Sequence, residues 1–224
     1  MEKELKIIHF MLCIITVVGV FFGVSNNVFA SEIDSSSQPK TKLTEEFYLD
    51  ENQKVIVSHE RKTDISNINM LKSNSETLYR TQDITTFSIS EFEKGKNTKT
   101  GSGTVYITLF YSIDSSTNAY KLKKITFKYD IDSSRYRFVN VQGGYQANGR
   151  NVSNGSLYTT NGYRMKTFSD KIAGTSTETL TVNSPFLKYS DILWDFGMSG
   201  ITTCKLKDMI TGTTSNTIRL ECVI

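Results

Sequence analysis

The chain of 224 residues is poor in four residue types: it contains 2 Pro, 2 His, 1 Trp and 3 Cys. So little proline rules out a collagen-like or proline-rich architecture. His9 and Cys13 fall in an N-terminal apolar run, which leaves His59, Cys204 and Cys222 for the rest of the chain. Those three fall short of the roughly four Cys or His ligands of a structural zinc site, so neither a metal nor another cofactor is expected. Excess charge is also scarce, since 26 Lys+Arg stand against 23 Asp+Glu for a net +3. That imbalance is too small for a dedicated nucleic-acid binder. What is present is 38% hydrophobic residue, enough for one sizeable core.

The first 30 residues read as an export signal. Met1 to Lys6 is short and polar, Ile7 to Val24 is apolar, and Val28-Phe29-Ala30 places small or branched residues where a signal peptidase reads them. Cleavage between Ala30 and Ser31 is expected. The alternative is an uncleaved anchor, because 18 residues at helical rise approach the thickness of a bilayer core. From Ser31 to Glu46 the chain is polar, with Ser35-Ser36-Ser37 and Pro39, the composition of a flexible linker.

Residues 47–98 form an N-terminal segment of mixed signals. Lys54 to Ser58 and Ile84 to Ser90 read as strands, Ile65, Ile68 and Leu71 suggest a helical turn, and Lys94 to Gly103 reads as a basic loop or boundary. From residue 99 to 224 the period-2 pattern dominates. Val105, Ile107, Leu109, Tyr111 and Ile113 share one strand face, and Ile125, Phe127, Tyr129 and Ile131 alternate with Lys124, Thr126, Lys128 and Asp130. Further strands are expected in Tyr136 to Val141, Leu157 to Phe168, Glu178 to Val182, Phe186 to Trp194, Ile201 to Leu206 and Thr217 to Val223. Short strands with turn signals and no amphipathic helix predict an all-β fold, an antiparallel immunoglobulin-like β-sandwich.

Cys204 shares parity with Leu206, and Cys222 with Leu220 and Ile218, so both cysteines are expected to face the core. In an exported protein the pair predicts a disulfide. A hairpin register setting Cys204 opposite Cys222 would also pair Leu206 with Leu220, and the bridge would contribute about 3 kcal/mol.

Signals for catalysis are weak. His59 has no Gly-x-Ser-x-Gly elbow to serve, since Gly197-Met198-Ser199-Gly200 is followed by Ile201. Asp130 with Asp132, or Asp191 with Asp195, have a glycosidase-like spacing, yet Asp130 and Asp132 run into a Ser-Ser turn where aspartate is commonplace. The most suggestive stretch is Gly143 to Lys166, where Tyr145, Arg150, Tyr158 and Tyr163 sit among Gly, Asn and Ser. Tyrosine offers large contact area at modest entropy cost while small polar residues adapt, so these four are the candidate binding residues.

The Lys-, Asn- and Ile-rich texture, with the late Thr203-Cys204-Lys205-Leu206 strand, resembles small exported β proteins of low-GC Gram-positive bacteria. That resemblance implies secretion and a β-sandwich, and carries no activity with it. The function expected is a secreted, non-catalytic binding or surface-interaction protein. Its partner would be a cell-envelope polymer or another protein, with no nucleic acid and with membrane contact only through the signal. A membrane-active β protein is the alternative reading, and a hydrolase of envelope polymers the third.

Overall fold

The alternating residues of this chain become one antiparallel sheet of twelve strands, seen in a computed structural model that describes residues 43–64, 78–93, 96–188 and 197–224. The strands are β1 (Leu43–Tyr48), β2 (Gln53–Asp64), β3 (Leu78–Glu93), β4 (Lys96–Asp114), β5 (Ala119–Ile131), β6 (Tyr136–Asn151), β7 (Leu157–Thr159), β8 (Arg164–Thr167), β9 (Gly174–Thr181), β10 (Leu187–Lys188), β11 (Gly197–Asp208) and β12 (Ile218–Val223). Among the described residues no helix is long and apolar enough to cross a membrane. The signal segment 1–30 with its Ala30/Ser31 junction, the Ile65-to-Leu71 turn and the Asp191/Asp195 pair lie outside the described residues.

The sheet has two limbs. One runs β1-β2-β3-β4-β5, with β9 on the far side of β5; the other runs β6-β11-β12, with β7 and β8 on the far side of β6. The two residues of β10 bridge them, Leu187 pairing with both Tyr120 of β5 and Asn151 of β6. The sheet curls so that β11 and β12 lie against β3, β4 and β5. The core fills the space between the limbs, with Val105, Ile107, Leu109, Phe127 and Tyr129 on one side and Phe138, Met198, Cys204 and Leu206 on the other.

Local irregularities keep this core in phase. Lys123 is the extra residue of β5, since Phe110 pairs with Lys124 and Tyr111 with Leu122, and the bulge turns both Leu122 and Ile125 inward. Asn140 takes a left-handed φ of 55°, which lets Phe138 and Val141 both reach the core although they are three apart. Aromatic contacts cross the interior, with Phe87 edge-on to Phe138 at 5.4 Å and Phe127 against Phe168 at 5.8 Å. Each such pair adds about 0.5–1.5 kcal/mol beyond area burial. Gly200 permits a close approach of the limbs, because a Cβ there would stand 2.9 Å from Leu109 and 3.1 Å from Ile125.

Three expectations are corrected. The run read as a loop from Lys94 to Gly103 is strand from Lys96 onward, laddered against Phe87–Glu93; Gly101 is needed there because a Cβ would meet the Tyr136 ring at 2.6 Å. The stretch read as linker gives way at Leu43 to β1, and within residues 47–98, whose structure the pattern left open, β2 and β3 continue the sheet edge of β4. The third concerns the cysteines. Both point into the core as their parity requires, but Cys204 pairs with Ile218 and Cys222 with Gly200, and both thiols are free. Their positions differ by four residues along the ladder, about 13 Å, beyond disulfide reach.

Candidate functional site

The four residues singled out in the Gly143-to-Lys166 stretch do not converge. Tyr145 and Tyr158 are half-buried and pack against the core. Arg150 donates from NH1 to the Gly155 carbonyl at 2.5 Å and so closes the turn between β6 and β7. Tyr163 lies over β11 and β12, its hydroxyl bonded to Ser199 at 3.0 Å and to Glu221, with the Arg219 guanidinium 5.1 Å from its ring. Each of these side chains holds structure together.

Among the described residues no group of three or more His, Cys, Asp or Glu is placed to hold a metal ion. His59 Nδ1 meets the Thr85 hydroxyl at 3.0 Å within the β2–β3 ladder. Burial pushes the Cys204 thiol up to about 12 and raises Cys222 as well, so neither is a ready thiolate.

Two buried charge clusters serve the fold. Arg135, at the corner between β5 and β6, donates to Asp208 from Nε at 3.0 Å and from Nη2 at 2.7 Å, and from Nη2 to Glu91 at 2.5 Å. Gln53 also donates to Asp208, at 2.5 Å, so β2, β3, the corner and β11 share one node. Burial alone would raise the Asp208 carboxyl, but hydrogen bonds from Arg135, Gln53 and the Ile210 backbone outweigh it and hold the group at about 2. Lys171 is 3% exposed; its ammonium pairs with Glu178 at 2.5 Å and stands over the Tyr129 and Phe168 rings.

The outward side of β2–β5 and β9 is different. Its strand register lays side chains in rows: Ser58, Thr86, Thr104, Asp130, Thr175; then Glu60, Ile84, Tyr106, Lys128, Thr177; then Lys62, Gln82, Thr108, Thr126, Thr179; and lastly Arg80, Phe110, Lys124, Thr181. At strand spacing these rows cover about 20 Å in each direction. The two aromatic rings carry ammonium groups: Lys124 Nζ stands 4.4 Å from the Phe110 centroid and Lys128 Nζ 4.8 Å from Tyr106.

At the first row the face opens into a shallow groove of about 250 Å³, lined by Ser102, Thr104, Asp130, Asp132, Gly174 and Thr175 among others. Asp130 accepts from the Thr175 hydroxyl at 2.5 Å and pairs with Lys128 at 2.8 Å. Asp132 accepts from the Ser102 backbone at 2.6 Å and from its hydroxyl at 2.5 Å. A carboxylate has about four acceptor sites, so these bonds fix both groups and leave acceptor capacity toward the groove. Burial disfavours charge on Asp130, yet the bonds from Lys128 and Thr175 prevail and lower its pKa. A glycosidase acid needs the opposite shift. The arrangement suits hydroxyl binding rather than proton donation.

The sequence reading passed over Tyr106 and Phe110 because they occupy the polar parity of β4, between Thr104, Thr108 and Ser112. Large aromatics at solvent-side positions four apart were the available signal. No protein-family model, curated protein or solved structure matches the chain.

Proposed function

We propose that this is an exported, non-catalytic binding module that holds a polyhydroxylated polymer on the outward face of β2–β5 and β9. The observation that carries the reading is the groove at Asp130 and Asp132: two carboxyl groups fixed by hydrogen bonds and with spare acceptor sites, flanked by the hydroxyls of Ser102, Thr104 and Thr175 and adjoining the row of Tyr106. A shallow open groove lined this way accepts an extended chain of hydroxyl groups. Export rests on the charge and hydropathy pattern of residues 1–30.

An immunoglobulin-like arrangement is part of the same reading. Its support is the interlocked pairing in which β5 neighbours β4 and β9 while β6 neighbours β11, β11 neighbours β12, and β7 and β8 extend β6. These relations correspond to strands A-B-E of one immunoglobulin sheet and G-F-C-C′ of the other, with β1–β3 as an added edge. A membrane-inserting role has less support, since every row of the outward face carries threonine, lysine or another polar side chain where a barrel needs an apolar band.

Titration of the full-length chain with dextran tests the reading. Asp130→Asn with Asp132→Asn is expected to weaken binding at least tenfold while leaving the melting temperature within a few degrees. Unchanged affinity in that double variant would contradict it.

A further inference from the structure

The outward face is electrically lopsided along β5. The groove end has Asp130 and Asp132, whereas the far end has Lys121 and Lys124, and β5 reads Ala-Tyr-Lys-Leu-Lys-Lys-Ile before its first threonine. Lys121 and Lys124 share the outward face, since Lys121 pairs with Ser112 and Lys124 with Phe110, two positions apart on β4. Each ammonium is held over an aromatic ring, Lys121 at 5.5 Å from the Phe186 centroid and Lys124 at 4.4 Å from Phe110. Among the described residues neither reaches a carboxylate within salt-bridge distance, whereas Lys128, nearer the groove, pairs with Asp130 at 2.8 Å.

An ammonium seated on a ring is positioned by the ring quadrupole and keeps N–H donors pointing away from it. Two such groups, without a carboxylate partner among the described residues and set about 20–30 Å along β5 from the groove, form a preordered anion site at one end of a hydroxyl-binding face. We infer that the polymer bound here is an anionic glycan, whose phosphate, sulfate or carboxylate groups meet Lys121 and Lys124 while its neutral hydroxyls occupy the Asp130/Asp132 groove. This rests on the binding-module reading above and names its ligand class. One observation favours a glycan over a single-stranded nucleic acid: the faces of Phe110 and Tyr106 are covered by lysines and not open for base stacking.

The test compares three probes on the full-length chain in 50 mM and 300 mM salt: dextran, dextran sulfate with the same backbone, and linear polyphosphate as charge without sugar. Dextran sulfate is expected to bind at least tenfold more tightly than dextran and than polyphosphate at low salt. Lys121→Gln with Lys124→Gln should reduce dextran sulfate to the affinity of dextran, leave dextran itself unchanged, and remove most of the salt dependence. Equal binding of dextran and dextran sulfate, both lost in the Asp130→Asn/Asp132→Asn variant, would overturn the anionic inference and keep the binding module. Polyphosphate binding as tightly as dextran sulfate would overturn the glycan assignment in favour of a general polyanion site. Binding of none of the three would overturn both readings.

Discussion

Two surfaces of this molecule contain tyrosines, small residues and cations, and they do opposite things with them. In the Gly143-to-Lys166 stretch, Tyr145 and Tyr158 sink against the core, Arg150 closes a turn and Tyr163 is tied to Ser199 and Glu221. On the outward side of β4 and β5, Tyr106 and Phe110 stay half-buried with lysines laid over them, Tyr106 in the row next to the groove. What separates the two is engagement: Tyr145 and Tyr158 pack on the core, and Arg150 and Tyr163 are held by hydrogen bonds to Gly155, Ser199 and Glu221. A loop-like composition thus marks a binding surface only when its side chains are not already engaged by the fold.

The comparison predicts that changes on the engaged side damage stability and changes on the open face damage binding. The largest effect is expected at the Gln53/Glu91/Arg135/Asp208 node. Arg135→Ala leaves the Asp208 carboxylate, whose side chain is 0% exposed, without its main partner. Removing one member of a fully buried pair costs about 3–5 kcal/mol; Arg135 is 16% exposed and Asp208 keeps its bonds from Gln53 and Ile210, so urea denaturation should show a loss of about 3 kcal/mol, the low end of that range. Gly200→Val comes next, with an expected cost of about 1–3 kcal/mol from overpacking against Leu109 and Ile125, where a Cβ already stands at 2.9 and 3.1 Å.

Acid should act through the same node. The Asp208 carboxyl titrates at about 2 in the folded chain and near 3.9 when unfolded. The unfolded state therefore binds more protons between those values, and stability from this group is present above about pH 4 and lost as pH falls through about 2. The contribution is on the order of 2 kcal/mol, and Asp208→Asn should flatten that limb of the stability profile.

The cysteines sharpen the comparison without entering it. Cys204 and Cys222 should resist alkylation in the folded protein and react fully on unfolding without reductant, and a cross-linked peptide containing both would contradict the register of β11 and β12. The smallest stability effect belongs to the open face. Lys121→Gln, Lys124→Gln and Asp130→Asn are each expected to change unfolding free energy by no more than about 0.5 kcal/mol, as read by thermal melting.

Much of the fold was legible because burial enforces a period of two. Val105 to Ile113 and Ile125 to Ile131 declare their inward face by alternation alone, and Cys204, Leu206, Leu220 and Cys222 declare theirs. Register was not legible. Nothing local distinguishes Cys204 opposite Cys222 from Cys204 opposite Ile218, because both keep Cys204, Leu206, Leu220 and Cys222 inward and differ only by an even slip. The Lys96-to-Gly103 strand was hidden for another reason: Gly101 is required by the Tyr136 ring, a partner 35 residues on, so a long-range contact looked like a loop signal. The groove was half visible. Asp130 and Asp132 stood out, while Ser102 and Thr175 reach them only through the pairing of β5 with β4 and β9.

The most direct test of the central claim sets the two surfaces against each other in one binding experiment. Titration of the full-length chain with dextran sulfate is compared for the unaltered protein, for Lys121→Gln/Lys124→Gln/Asp130→Asn, and for Tyr145→Ala/Arg150→Ala/Tyr158→Ala, with melting temperatures recorded alongside. The account predicts that the first triple variant melts like the unaltered chain and binds at least tenfold more weakly, whereas the second melts lower and, where folded, binds normally. Loss of binding in the second variant at unchanged melting temperature, with the first unaffected, would contradict it.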